Sequence, residues 1–239
     1  MTKLSDTTRN KLKTVSTATV ATALFKRGFR IQCIQDVHPL SPGQPTMVGE
    51  AFTLRYMPAR EDLNKIEVFR DRAHPQRKAI EECPAGSVLV MDSRKDARAA
   101  SAGAILVTRL MKRSVAGDVT DGGFRDSAEI AKLSFSAYHQ RPSAPTNLTL
   151  HQAIDINVPI VCGDAPVFPG EVILGDVDGV IVIPAHLADE IADETFEMTA
   201  FEDFVAEEVS RGRGIFGLYP ATDEQTLKDF AAWRKKMGR

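Results

Sequence analysis

Residues 87–120 read SVLVMDSRKDARAASAGAILVTRLMKRSVAGDVT, and their pattern decides the fold class. Ser87 to Met91 is a short apolar run bounded by Gly86 and Asp92, the mark of a strand buried on both faces. The polar segment Asp92–Gly103 follows. From Ala104 to Arg113 the residues Ile105, Leu106, Arg109 and Leu110 recur at helical spacing, and Val115 to Thr120 returns to strand character. Strand, helix and strand at this spacing form a βαβ unit, whose crossover pairs the two strands in parallel. The fold class is α/β.

Outward from this unit, Val48 to Tyr56 (VGEAFTLRY) reads as a further strand. Residues 5–27 read as a helical opening, capped at Ser5 or Asp6 and restarted at Ser16-Thr17-Ala18-Thr19, and the prolines at 39, 42 and 45 mark a loop. Arg60 to Glu82 is highly charged and reads as loop and helix. Beyond the unit, Pro159–Cys162, Glu171–Leu174 and Gly179–Ile183 are three short strands, with Asp176 and Asp178 as turn residues. Pro184 ends them. A long helix from about 186 to 211 carries Leu187, Ile191, Met198, Phe201 and Val205 at three-and-four spacing, and Gly212 stops it. Residues 222–237, with Trp233, read as a last helix. The 239 residues are read as a single domain with its core at 48–184, a helical N-terminal segment at 5–27 and a C-terminal helical arm at 186–239.

Thirty Lys and Arg against 32 Asp and Glu leave a net charge of −2, which gives no electrostatic reason to expect a nucleic-acid partner. Cys33, Cys83 and Cys162 have no metal-type spacing and read as small buried hydrophobes in a reducing compartment. No apolar run has the length of a membrane span, and the N-terminus lacks the pattern of a secretory signal, so a cytoplasmic protein is expected. The five histidines are scattered without paired metal spacing.

Chemistry concentrates in Val119-Thr-Asp-Gly-Gly-Phe-Arg-Asp-Ser-Ala-Glu129. Here a strand ends, two glycines permit a tight turn and a helix begins near Ser127, the kind of place where α/β sheets collect ligands. Arg125 offers a planar fork for a carboxylate, and Asp126 offers hard oxygens suited to Mg²⁺ or Mn²⁺. The same spacing also fits a plain capping box, with Asp126 and Glu129 satisfying the first amides of the helix. Asp121 reads as support for the Gly122-Gly123 turn.

The run Gly103-Ala-Ile-Leu106, followed by Val115-Ala-Gly-Asp-Val-Thr-Asp-Gly-Gly-Phe-Arg-Asp126, resembles the signature of the RraA-like proteins. The resemblance continues through Asn157–Cys162, Pro169-Gly170-Glu171 and Gly175–Pro184. That family includes 4-hydroxy-4-methyl-2-oxoglutarate aldolases and regulators of ribonuclease E activity. It implies a swivelling β/β/α sandwich with N- and C-terminal helices, assembled as a homotrimer or hexamer with sites between subunits. It also implies a lyase that breaks a carbon–carbon bond beside a 2-oxo acid, by retro-aldol cleavage or oxaloacetate-type decarboxylation through a pyruvate enolate. By the same resemblance Arg125 holds the pyruvyl carboxylate together with the amides of Ile105 and Leu106 after Gly103, and Asp126 binds the metal. A Glu from the neighbouring subunit's C-terminal helix completes the site. Glu202 is nearest that position and Glu208 is a second candidate. One departure stands out: the position after the Gly is acidic in the aldolases and is Ala104 here, with Asp92, Asp96 and Asp121 as conceivable substitutes. The alternative function is a non-catalytic protein that regulates ribonuclease E by contact.

Overall fold

A computed structural model describes residues 3–239. Two short helices open the chain, α1 (Asp6–Leu12) and α2 (Thr17–Lys26), and the hydroxyls of Ser5 and Ser16 accept from the amides of Thr8 and Thr19 at 3.0 Å. Each cap satisfies one of the amides that a helix start leaves without an internal partner. The strands that follow are β1 (Met47–Pro58), β2 (Val88–Asp92), β3 (Ala100–Ala102), β4 (Gly117–Thr120), β5 (Gly123–Phe124) and β6 (Ser136–His139). After them come β7 (His151–Ile156), β8 (Ile160–Cys162), β9 (Ala165–Val167), β10 (Val172–Asp176) and β11 (Gly179–Ile183). Five more helices intervene or follow: α3 (Pro75–Glu82), α4 (Ala104–Lys112), α5 (Ser127–Ile130), α6 (Ala188–Ser210) and α7 (Glu224–Met237).

A nine-stranded mixed sheet forms the centre. β1, β2, β4 and β6 run parallel in that order, and β2 pairs β4 from Val88↔Gly117 to Met91↔Thr120, as the βαβ reading predicts. β10 and β11 continue the sheet antiparallel on the other side of β1. The apolar run 88–91 is buried throughout because both faces of β2 are covered. Leu89 and Met91 point to α3 and α4, packing with Ile80, Val107 and Leu110, while Val88 and Val90 point to Ile160, Cys162 and Val167 of the β8–β9 hairpin.

A second, small sheet decides where the site lies. Three short parallel strands, β3, β5 and the pair Arg141–Pro142, each follow one of the central strands β2, β4 and β6. β3 lies inside the stretch read only as a polar segment. Its Ala-Ser-Ala sequence has little strand preference of its own, and the pairing of Ala100 with Gly123 and Ala102 with Phe124 supplies what propensity does not.

α1, α2 and α6 cover β10 and β11 through Leu12, Val20, Leu24, Ile191 and Ala192. Asp176 does more than turn the chain, since its carboxylate accepts the amide of Thr17 at 2.7 Å and the Thr17 hydroxyl at 2.8 Å, tying α2 to the end of β10. α7 folds back on the end of α6 through Phe201, Phe204, Phe230 and Trp233. Cys83 and Cys162 are buried, but Cys33 is exposed, contrary to the expectation for all three, because it lies at the outermost edge of the large sheet. No helix among the described residues is long and apolar enough to cross a membrane.

Candidate functional site

Parallel register brings the candidate residues together. With Ala102 paired to Phe124, the next residue of each strand leaves the small sheet at the same level, Gly103 from β3 and Arg125 from β5. The Arg125 amide still donates to the Ala102 carbonyl at 3.0 Å, so the two segments remain side by side as one enters α4 and the other α5. Gly103 has to be glycine for reasons of space. A Cβ there would lie 2.6 Å from Cγ of Arg125 and 2.9 Å from Oδ2 of Asp126. Both side chains therefore lie across its α-carbon.

The capping-box alternative fails on geometry. Asp126 occupies the N-cap position of α5 but makes no side-chain cap bond, and Glu129 pairs with Lys132 at 2.7 Å. The Asp126 carboxylate instead turns toward the start of α4, 3.3 Å from the Ala104 amide and 3.6 Å from Nε of Arg125. To do so its backbone adopts the left-handed conformation, φ 57°. For a non-glycine residue that conformation is costly and tends to occur where the surroundings impose it. At the start of α4 the Leu106 amide donates to the Gly103 carbonyl at 3.0 Å, while the Ile105 amide has no partner among the described residues. A free amide at a helix N-terminus is a ready anion donor.

These groups line a cavity of about 350 Å³, within the ordinary size of a small-molecule site. Gly103, Ile105, Leu106, Arg125 and Asp126 line it together with Phe69, Gln76, Arg77, Thr146 and Asn147 and with Ala100, Ser101 and Ala102 of β3. Asp126 is the one carboxylate in this lining.

One lining residue, Ser101, belongs to a buried hydroxyl triad. Ser101 bonds Ser93 and Thr120 at 2.6 Å each, and Gly122 fits above because any side chain there would strike Ser93 and Ser101. The two glycines thus serve close packing rather than a turn, and neither has a positive φ. Asp121 does not support them. Its carboxylate accepts the amides of Ser93 (2.6 Å), Lys95 (3.1 Å) and Gly163 (3.2 Å), bracing the loop after β2 against the β8–β9 hairpin. Burial pushes its pKa up to about 6, against the pull of the three amides. Nor do the other acids stand in for the missing carboxylate at Ala104. Asp96 is held by a two-pronged ion pair with Arg98, Asp92 accepts the Arg94 amide, and neither lines the cavity.

The two C-terminal glutamates are also away from this cavity within one chain. Glu202 accepts the Thr19 hydroxyl at 2.8 Å, and Glu208 is paired with Arg211 and Arg213 at 3.1 Å. Sequence reasoning missed Phe69, Gln76 and Arg77. Their only sequence signal was a charged helix in the 60–82 segment, and their convergence on the cavity is tertiary.

With this geometry in view, comparison with known proteins identifies the fold's relatives. The family model described as RraA-like, Aldolase/RraA, matches residues 17–182. The chain belongs to the RraA-like family. The matched stretch runs from α2 into β11. A Halalkalibacterium halodurans protein named putative 4-hydroxy-4-methyl-2-oxoglutarate aldolase is 36% identical over 107 residues, 45% of this chain and 50% of that protein. The chain thus spans about half the length of that relative. A Thermus thermophilus protein named 4-hydroxy-4-methyl-2-oxoglutarate aldolase is 28% identical over 151 residues, 63% of this chain and 90% of its own. Among solved structures, Streptomyces coelicolor RraAS2, described as an unusual member of the RNase ES inhibitor RraA family, superposes with a TM-score of 0.76 at 27% identity. That superposition covers 89% of this chain and all of RraAS2. An uncharacterized Pseudomonas syringae protein shares the fold at a TM-score of 0.80 and 21% identity, over 92% of this chain and 96% of its own.

Proposed function

We propose that the protein is a divalent-metal-dependent lyase that cleaves a carbon–carbon bond next to a 2-oxo acid. The observation that carries this reading is the placement of Arg125 and Asp126 across Gly103, beside a cavity that Ile105, whose amide is free, also lines. Arg125 would take the substrate carboxylate in its fork, and the Ile105 amide would add a donor at the positive end of α4. Asp126 would hold Mg²⁺ or Mn²⁺. The fit rests on a hard carboxylate that spends no hydrogen bond on capping its own helix and sits half-exposed at the cavity wall, and on the tolerance of Mg²⁺ for one or two carboxylates with water completing its shell. Once bound, such a cation supplies Lewis-acid stabilisation of the charge that develops on the 2-oxo oxygen.

A retro-aldol step and an oxaloacetate-type decarboxylation place that charge on the same atom, so both suit this site. Ala104 brings no proton-carrying group, which favours a substrate or step with less need for water-assisted proton transfer than the aldolases have. For assembly, a homotrimer or hexamer in which Glu202 of a neighbour approaches Asp126 fits the single carboxylate in the cavity. Glu208, held by two arginines, is the poorer candidate.

Pyruvate release from oxaloacetate and from 4-hydroxy-4-methyl-2-oxoglutarate, with Mg²⁺ and then with EDTA, tests the reading. Activity that persists in EDTA, or in Asp126→Ala, overturns it. A second reading, regulation of ribonuclease E by direct contact, is favoured by the full-length likeness to RraAS2. Co-purification with ribonuclease E and inhibition of its RNA cleavage, without pyruvate release, would select it.

A further inference from the structure

We propose that Thr120 is a positioning residue for the candidate site, holding the Arg125–Asp126 segment in place through a closed ring of hydroxyls. This deepens the lyase reading and rests on it for the turnover test alone.

Thr120 is the last residue of β4, is wholly buried and does not line the cavity. Its hydroxyl meets those of Ser101 at 2.6 Å and Ser93 at 3.1 Å, and Ser93 closes the ring to Ser101 at 2.6 Å. The three residues come from separate segments: the exit of β2, the middle of β3 and the end of β4. Each hydroxyl can donate to one neighbour and accept from the other, so the ring satisfies itself without charge or solvent. Thr120 has one further bond. Its hydroxyl oxygen accepts the Gly122 amide at 2.9 Å, where the chain passes from β4 into β5.

The ladder that this arrangement supports is short. β3 and β5 share two residue pairs with an irregularity between them, and Arg125 follows directly. Ser101 anchors the other side of the ring, since its carbonyl accepts the Gln76 side-chain amide at 2.6 Å and the Tyr56 hydroxyl at 3.1 Å. β3 is thereby fixed to α3 and β1, and the ring passes that constraint to Thr120 and Gly122. Valine has nearly the shape of threonine but lacks the hydroxyl. Thr120→Val therefore opens the ring and leaves the Gly122 amide without its acceptor in a buried place, and the 122–126 segment shifts to find another.

Paired measurements test this: hydrogen exchange, and Mg²⁺-dependent pyruvate release well below the melting temperature. Thr120→Val should speed amide exchange roughly 10-fold across 100–106 and 122–126 and leave 172–183 unchanged, the size expected when one buried donor loses its partner. It should cut kcat roughly 10- to 100-fold, the effect of misplacing a reacting group by up to about 1 Å. Thr120→Ser, which keeps the hydroxyl, should restore both readouts. Thr195→Val controls for lost stability alone. Thr195 is equally buried, and its hydroxyl bonds the Ile191 carbonyl at 2.6 Å within α6, so this variant should lower Tm without changing either readout. Where Thr120→Val does not fold, Ser93→Ala takes its place. Ser93 also lies outside the lining, and its loss spares the Ser101–Thr120 and Gly122 bonds, so both readouts should move the same way by a smaller factor. Unchanged exchange at 122–126, wild-type turnover in Thr120→Val, no rescue by Thr120→Ser, or equal changes in Thr195→Val overturns the proposal. Absence of turnover in the wild type would instead count against the lyase reading, and the exchange data would still decide the role of Thr120.

Discussion

Gly103→Ala isolates the geometry on which the lyase reading depends. The backbone at Gly103 is extended (φ −135°, ψ 177°), so alanine costs nothing in backbone strain, and its effect must come from the added methyl. That carbon would sit 2.6 Å from Cγ of Arg125, 0.8 Å inside the 3.4 Å of ordinary contact, and 0.5 Å too close to the Asp126 carboxylate at 2.9 Å. Both side chains must retreat by about half an ångström or more from the start of α4. A displacement near 1 Å at a reacting centre costs on the order of 100-fold in rate. Stability should change far less, because alanine is a poorer N-cap than glycine by about 1 kcal/mol, a drop in Tm of roughly 2–4 °C for a chain of this size. The assay pairs a thermal melt with Mg²⁺-dependent pyruvate release. A Gly103→Ala protein with wild-type turnover and metal response would refute the argument that Arg125 and Asp126 act from their places across this glycine.

Three other outcomes follow from the same structure. Asp126→Asn should abolish the response to Mg²⁺ while shifting Tm by no more than about 2–4 °C, since this half-exposed side chain makes only long contacts; a large drop in Tm would mark it as structural. His139 is buried against Phe124, and burial lowers its pKa to about 4 from an ordinary 6.5. Its neutral ring therefore contributes stability that is complete above pH 6.5 and lost as pH falls through 4, about 3 kcal/mol in all. Relative to the wild type, His139→Phe should gain roughly 5–12 °C in Tm between pH 7 and pH 4, and a pH-independent difference would exclude this linkage. Finally, if Glu202 completes a neighbour's site in a ring of subunits, mixing the inactive Arg125→Ala and Glu202→Ala proteins after unfolding should restore about a quarter of the activity. No recovery would place Glu202 outside the catalytic machinery.

The central sheet was legible in the sequence because its strands are buried on both faces and announce themselves as unbroken apolar runs, as at 88–91. The helices were legible from their spacing and from Ser5 and Ser16, whose capping roles are local. β3 was not, because Ala100-Ser-Ala102 is a strand only by virtue of its partners. For Asp126, cap or ligand was undecidable from spacing, since the answer lies in a left-handed backbone held by tertiary contacts. Asp121 was misassigned for a related reason: its three amide partners come from two segments, one of them more than 40 residues away in the chain. Arg77 was invisible as a cavity residue because only tertiary packing brings α3 beside Ser101, and charge runs such as 60–82 do not reveal which of their members face a pocket.

The small three-stranded sheet also bears on how such a protein can change its chemistry. Because Gly103 and Arg125 leave adjacent ladder rungs, their separation is fixed by interstrand spacing and not by the loops that carry the chain there. Exposed positions such as Arg94 and Arg98 can mutate without displacing the pair. Replacement of the side chain at Ala104 then alters what is bound or protonated while the frame stays put, so new substrates can be sampled one residue at a time.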